Sequence, residues 1–92
     1  MYNKKYVLTD IEEFNRHNPI YDDMKGTVCY LVYLNPGERG WFLYEEKYGS
    51  VYPHRVHTST VAKVTYVRNE KADIKGVVLE TQNTKFTFEV YK

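Results

Sequence analysis

A series of short runs rich in valine, tyrosine, phenylalanine and threonine, separated by turn-forming residues, most constrains what this 92-residue chain can fold into. Strands that recur about every 8–12 residues, with turns between them, predict an antiparallel sandwich or barrel. In the last run, Phe86, Phe88 and Val90 fall on one face and polar residues fall on the other. The predicted strands cover residues 26–34, 41–46, 54–59, 60–68, 77–81 and 85–91, of which 60–68 is either a fourth strand or a bent continuation of the third.

Two turns connect predicted strands through residues with defined backbone preferences. Pro36 and Gly37 occupy the middle of a predicted type II turn, where proline fixes one dihedral angle and glycine tolerates a positive one. Gln82 and Asn83 form a tight turn before the last strand. The chain is therefore predicted to be mainly β, either a small bent antiparallel sheet or a five- to six-stranded Src-homology-3-like barrel.

The N-terminal stretch "TDIEEFNRHNP" predicts one short helix. Thr9 or Asp10 can cap its first turn, with a glutamate three positions later, which is the spacing of a capping box. Ile11 and Phe14 lie on one face of this helix. Pro19 ends it, because proline disfavours helical geometry at the residue before it.

Size and composition limit the class of protein. Residues 1–92 are expected to form one domain, in which the segment 1–25 with its helix plugs an open end of the β core 26–92. The net charge of +1 argues against a protein that binds nucleic acid through charge alone. No apolar run reaches the roughly 18 residues of a membrane span, and the N-terminus lacks a signal-peptide pattern. We therefore expect a cytoplasmic protein with no membrane partner.

No set of residues in the sequence has the pattern of a catalytic or metal site. Cys29 is the single cysteine and lies within a predicted strand, where a small buried residue is expected. No acid falls between residues 47 and 69 to orient a histidine as a base. His54 and His57 point to opposite faces of a regular strand and cannot bind one metal together. The prediction is a protein that is no enzyme and uses no cofactor or metal.

The stretch "SVYPHRVHTST", residues 50–60, is the predicted partner-binding surface. If Val56 points into the core, the residues at positions 55, 57 and 59 form one row on the outer face. Two tyrosines lie in the loop before this row, and tyrosine is enriched at protein interfaces. We therefore predict a non-catalytic binding module that recognises a protein partner or a second copy of itself. The predicted contact residues are Tyr48, Tyr52, Arg55, His57 and Ser59.

Single-stranded nucleic acid is the alternative ligand, because the same region combines basic residues with tyrosines. This surface would use Arg55, Lys63 and Arg68. Basic residues on exposed strands also prevent aggregation of strand edges, and the near-neutral total charge disfavours this alternative. Trp41 is predicted to pack in the core, although it could instead anchor a protein partner on the surface beside Arg39.

Three stretches, "GERGWF", "HRVHTSTV" and "LETQNTKFTFEV", resemble small β-rich proteins found in phages and mobile elements of Gram-positive gut bacteria. The resemblance covers roughly residues 26–91 and excludes the N-terminal helix. Proteins of this kind carry no assigned activity, so the resemblance implies no catalytic or binding residue. It implies a stand-alone accessory protein, or a small inhibitor or adaptor that acts on a host protein.

Overall fold

The computed structural model describes residues 4–45 and 52–91, which form one antiparallel sheet of six strands closed into a barrel. The strands follow one another around the barrel in chain order, and the last pairs with the first. The mainly β prediction is thereby confirmed. The strands are β1 (Tyr6–Glu13), β2 (Val28–Tyr33), β3 (Arg39–Tyr44), β4 (His54–Arg68), β5 (Ile74–Thr81) and β6 (Thr84–Val90).

β1 occupies part of the stretch for which the sequence predicts a helix, and that prediction was wrong. The strand pairs with β6 along its length and briefly with β2, so it is a wall of the barrel. A bulge between Leu8 and Asp10 gives Leu8 and Ile11 a three-residue spacing within a strand, which imitates a helix face. Phe14 lies beyond the strand and is half-exposed. The one helical element among the described residues is a 3-10 turn at Pro19–Asp23.

Residues 14–27 cross one end of the barrel and cover its core. Asn18 caps the 3-10 turn by accepting a hydrogen bond from the N–H of Ile20. After the turn, Met24 is fully buried. The ring of Tyr21 packs edge-on against Phe86, with 5.4 Å between ring centroids. An irregular segment therefore covers the core where the sequence predicts a helical plug.

β4 runs unbroken for 15 residues and pairs first with β3 and then with β5. The bent continuation of the third predicted strand is therefore the form observed. Register shifts bend β4 where it changes partner, between Thr58 and Lys63. Gly40 lies against this bend, where an added Cβ atom would stand 3.0 Å from Cγ2 of Val61 in β4 and 2.8 Å from the carbonyl oxygen of Tyr33 in β2. The bend thus requires a glycine on the neighbouring strand.

Both predicted turns are confirmed. Gly37 has a φ of 88°, and the N–H of Glu38 donates to the carbonyl of Asn35 at 3.2 Å, as in a type II turn. Gln82 and Asn83 join β5 to β6 as a two-residue loop. These turns set the register of the strands on either side of them.

Aromatic and aliphatic side chains fill the barrel interior. Phe42, Phe86 and Phe88 are buried, and Phe42 packs edge-on against each of the other two with 5.4 Å between ring centroids. Leu8 and Leu79 are fully buried in the same cluster. Burying each such side chain contributes about 1.5–3 kcal/mol, so the inward residues fix which residues of each strand face outward.

Candidate binding surface

The outer side of β2, β3 and β4 carries two rows of aromatic, apolar and basic side chains. Phe42 and Val56 face each other inside the barrel, so the residues on either side of them point outward. One cross-strand row consists of Tyr33, Trp41 and His57, and the other consists of Tyr30, Leu43 and Arg55. We call these six side chains the Trp41 face.

Trp41 lies half-buried on this face. The guanidinium carbon of Arg55 stands 4.4 Å from the centroid of its ring, which is the geometry of a cation–π contact. The imidazole of His57 lies beside it, with 6.4 Å between ring centroids. The prediction that Trp41 packs in the core was wrong, because Gly40 and Phe42 on either side of it take the inward positions.

The two tyrosines of β2 direct their hydroxyls to carboxylates at the rim of the Trp41 face. Tyr30 donates to Glu45 at 2.8 Å, and Tyr33 donates to Glu38 at 2.7 Å. The hydrogen bond to Glu38 is the main cause that raises the pKa of Tyr33. Burial and then Glu45 raise the pKa of Tyr30. Both hydroxyls therefore stay protonated near neutral pH, and the rim adds two negative charges beside the arginine of the face.

The predicted partner-binding residues are only partly brought together. Arg55 and His57 are exposed and lie side by side with the tryptophan. Ser59 lies at the bend of β4, where its hydroxyl donates to a threonine hydroxyl of β5 at 3.0 Å. Tyr52 is 78% exposed just before β4. Tyr48 lies outside the described residues.

The structure does not bring the predicted nucleic-acid residues Arg55, Lys63 and Arg68 onto one surface. Lys63 lies past the bend of β4, directly opposite Glu80 of β5. Arg68 ends β4 and donates to the carbonyl of Ala72 in the following loop at 2.9 Å. Of the three basic residues, only Arg55 lies on the Trp41 face.

A cleft of about 400 Å³ opens at the barrel end beside the Trp41 face, and His57 lines both. Its walls are the end of β1, the segment that follows β1, the bend of β4 and the β5–β6 turn. The lining residues that carry a full charge at neutral pH are Glu13, Arg16 and Arg39. We call this cavity the end cleft.

The carboxylate of the end cleft is already bound by its neighbours. Glu13 accepts a hydrogen bond from Nδ1 of His17 at 2.9 Å and another from the N–H of Asn18 at 2.6 Å. The other ring nitrogen of His17 contacts Asp22 at 3.2 Å. These contacts, with Glu13 as the largest cause, raise the pKa of His17 above its ordinary value. The carboxylate of Glu13 is therefore held within its own segment of the chain.

The arginines of the end cleft keep most of their donors unused. Arg39 donates from Nε to the carbonyl of Thr58 at 3.1 Å, and its two terminal nitrogens make no hydrogen bond to the described residues. The guanidinium of Arg16 makes no hydrogen bond or ion pair within the same ranges. Arg16, Arg39 and Glu13 together give the lining one more positive than negative charge, and both arginines have donors that no described residue engages.

Burial raises the pKa of a cysteine and of a tyrosine in the barrel. Cys29 is fully buried, and burial raises the pKa of its thiol to about 12, so almost no thiolate forms near neutral pH. Burial also raises the pKa of Tyr21, which lines the end cleft. Among residues 4–45 and 52–91, no group of three or more histidine, cysteine, aspartate or glutamate side chains could hold a metal ion.

The surface predicted from the sequence lacks Leu43 and the two tyrosines of β2, and no sequence pattern predicts a cleft lined by Arg16 and Arg39. The alternation within β3 does carry a signal for Trp41 and Leu43, since the glycine and phenylalanine next to them suit inward positions. No sequence pattern locates Arg16, because its position depends on the irregular segment that crosses the barrel end.

Comparison of the chain with protein-family models, with curated proteins and with solved structures gives no match. No helix in the described part of the chain has the length and apolar character that crossing a membrane requires. The resemblance to proteins of phages and mobile elements therefore stays a prediction.

Proposed function

We propose that this protein is a non-catalytic binding module that recognises a protein partner, or a second copy of itself, through the Trp41 face. The observation that carries the proposal is the contact between Trp41 and Arg55, surrounded by tyrosine and leucine side chains on the same side of the sheet. Tryptophan, tyrosine and arginine are the residue types that dominate binding hot spots in protein interfaces.

The charge around the Trp41 face supports a protein partner over nucleic acid. Arg55 is accompanied at the rim by Glu38 and Glu45, so the face lacks the one-sided positive charge that phosphate binding uses. Lys63 and Arg68 lie away from it: Lys63 lies opposite Glu80 of β5, and Arg68 donates to the carbonyl of Ala72. We therefore do not propose binding of single-stranded nucleic acid as the function, and the experiments below include a test for it.

We propose that the six-stranded barrel is related in architecture to Src-homology-3-like barrels, some of which bind peptides in aromatic-lined grooves. We further propose that it acts in the cytoplasm as an accessory protein of a phage or mobile element. Under this proposal the partner is a host protein or another copy of the chain.

Affinity capture with matched variants tests the proposed function. The wild-type protein, Trp41→Ala and the control Lys63→Ala are immobilised and incubated with a bacterial lysate treated with nuclease, and the retained proteins are quantified by mass spectrometry. Each protein lost only with Trp41→Ala is then purified and titrated by calorimetry. We expect its affinity to fall about 30-fold or more in Trp41→Ala, as for a hot-spot residue, and to stay unchanged in Lys63→Ala.

Sedimentation equilibrium of the three purified proteins tests the second-copy form of the proposal. A dimer mass that falls to the monomer mass only in Trp41→Ala supports recognition of a second copy. If Trp41→Ala alters neither capture nor mass, the proposed function is wrong. Binding to single-stranded DNA or RNA that weakens steeply with salt would replace it with the nucleic-acid alternative.

A further inference from the structure

We infer that the end cleft receives an acidic side chain, an aspartate or glutamate carboxylate, of the protein partner that the Trp41 face binds. The inference rests on the proposed function for the identity of the partner as a protein. For the acidic side chain it rests on the charge, the free donors and the position of the cleft.

The positive charge of the end cleft and its hydrogen-bond donors favour a carboxylate as the ligand. Arg16 and Arg39 line the cleft with guanidinium groups that are free of ion pairs to the described residues, while Glu13 is held by His17 and Asn18. A guanidinium can meet a carboxylate with two parallel hydrogen bonds. One carboxylate carries the single negative charge that balances the lining, whereas a phosphate would overcompensate it.

The end cleft lies next to the Trp41 face. His57 lines the cleft and also lies 6.4 Å, between ring centroids, from Trp41. An extended segment of a partner that packs an apolar side chain on the indole can therefore place a neighbouring side chain in the cleft. The volume of about 400 Å³ has room for one such side chain, together with water. The partner sequence expected from this arrangement has an acidic residue close to an apolar one.

Nuclear magnetic resonance on the full-length, ¹⁵N-labelled protein tests the inference with a defined probe. The probe is an acetylated and amidated hexapeptide that alternates leucine with aspartate, and its control replaces each aspartate by asparagine. The protein is used as wild type, Arg16→Gln, Arg39→Gln and Trp41→Ala. Arg68→Gln is the matched control, because Arg68 also donates to one backbone carbonyl but lies outside the cleft. An unchanged dispersion of amide signals verifies the fold of each variant.

We expect the acidic peptide to give saturable shifts of the amide signals of Ser59, Gln82 and Asn83, which line the cleft. Its affinity should fall about tenfold in Arg16→Gln and in Arg39→Gln, since each removes charge-assisted hydrogen bonds. In Arg68→Gln the affinity for the acidic peptide should change less than about twofold, as expected for an exposed charge that does not contact the peptide. The asparagine peptide should give no saturable shifts.

Other results overturn the inference. Absence of saturable shifts at the cleft, equal binding of the asparagine peptide, or tighter binding of inorganic phosphate each contradicts a carboxylate site. If Trp41→Ala loses peptide binding and Arg39→Gln binds the peptide fully, the cleft does not receive the acidic side chain, but the proposed function still holds. If Arg39→Gln loses peptide binding and Trp41→Ala binds the peptide fully, the result supports the acidic site. It then contradicts binding of the partner through the Trp41 face.

Discussion

The two outer sides of the barrel differ in how their side chains are matched. On the side formed by β1, β5, β6 and the second half of β4, one cross-strand row reads Glu12, Lys85, Glu80 and Lys63, so charges alternate in sign from strand to strand. On the Trp41 face, the two rows contain aromatic and aliphatic groups with one arginine and one histidine. We call the first row the charged row.

One side therefore places opposite charges across neighbouring strands, whereas the other keeps aromatic surface partly in water. Opposite charges directly across strands stabilise the sheet by about 0.2–1 kcal/mol a pair and keep the outer side soluble. On the Trp41 face, part of the indole stays exposed to water, and the guanidinium of Arg55 contacts only part of its surface. Further burial of such a face in a complex is favourable because aromatic area leaves water.

The largest predicted effect contrasts two neighbours on β3 that point to opposite sides of the sheet. Phe42→Ala should lower the free energy of unfolding by about 3–5 kcal/mol, because it empties part of a close-packed core. Trp41→Ala should lower it by about 1 kcal/mol, since the indole is only half-buried. Urea unfolding followed by circular dichroism measures both values. Equal losses for the two variants would contradict the assignment of Trp41 to the outer side.

The next effect concerns the charged row. Glu80→Lys places three lysines side by side on β4, β5 and β6 and should destabilise the fold by about 0.5–1 kcal/mol at low salt. Adding Lys63→Glu, Lys85→Glu and Glu12→Lys restores alternating signs along the whole row and should recover most of the loss. Urea unfolding at low and high salt is the measurement. The same loss at high salt as at low salt would show that charge matching is not the cause.

The smallest effect is expected at the barrel end, where His17 is exposed. Because contacts with Glu13 and Asp22 raise its pKa, the pairing is complete below the ordinary value of 6.5 and is lost as the pH rises through the raised value. An imidazole titration followed by nuclear magnetic resonance should therefore give a midpoint above 6.5 in the wild type. Asp22→Asn and Glu13→Gln should each lower it, and Asp73→Asn should not. A midpoint at or below 6.5 in the wild type would contradict this bridge.

Much of the β architecture follows from local patterns in the sequence. The alternation of Phe86, Phe88 and Val90 places β6, and the type II turn at Pro36 and Gly37 joins β2 to β3 as predicted. These features depend on residues close together in the chain, so a single sequence suffices to find them. The inward position of Val56 follows in the same way.

The remaining features depend on contacts between distant residues. The capping-box spacing after Thr9 and Asp10 makes this stretch look helical, and only the pairing of β1 with β6 identifies it as a strand. The charged row requires the register of four strands, and the bend of β4 moves Lys63 away from Arg55. Arg16 reaches the end cleft through an irregular segment without a repeating pattern. Local propensity does not encode any of these placements.

Site-specific photocrosslinking tests most directly the claim that one outer side of the barrel binds a partner and the other does not. p-Benzoylphenylalanine is placed at position 33, on the Trp41 face, or at position 78, on the outer side of β5, and each protein is irradiated in lysate. The proposed function predicts protein adducts from position 33 that Trp41→Ala abolishes, and none above background from position 78. Equal adducts from both positions, or adducts from position 78 alone, would contradict it.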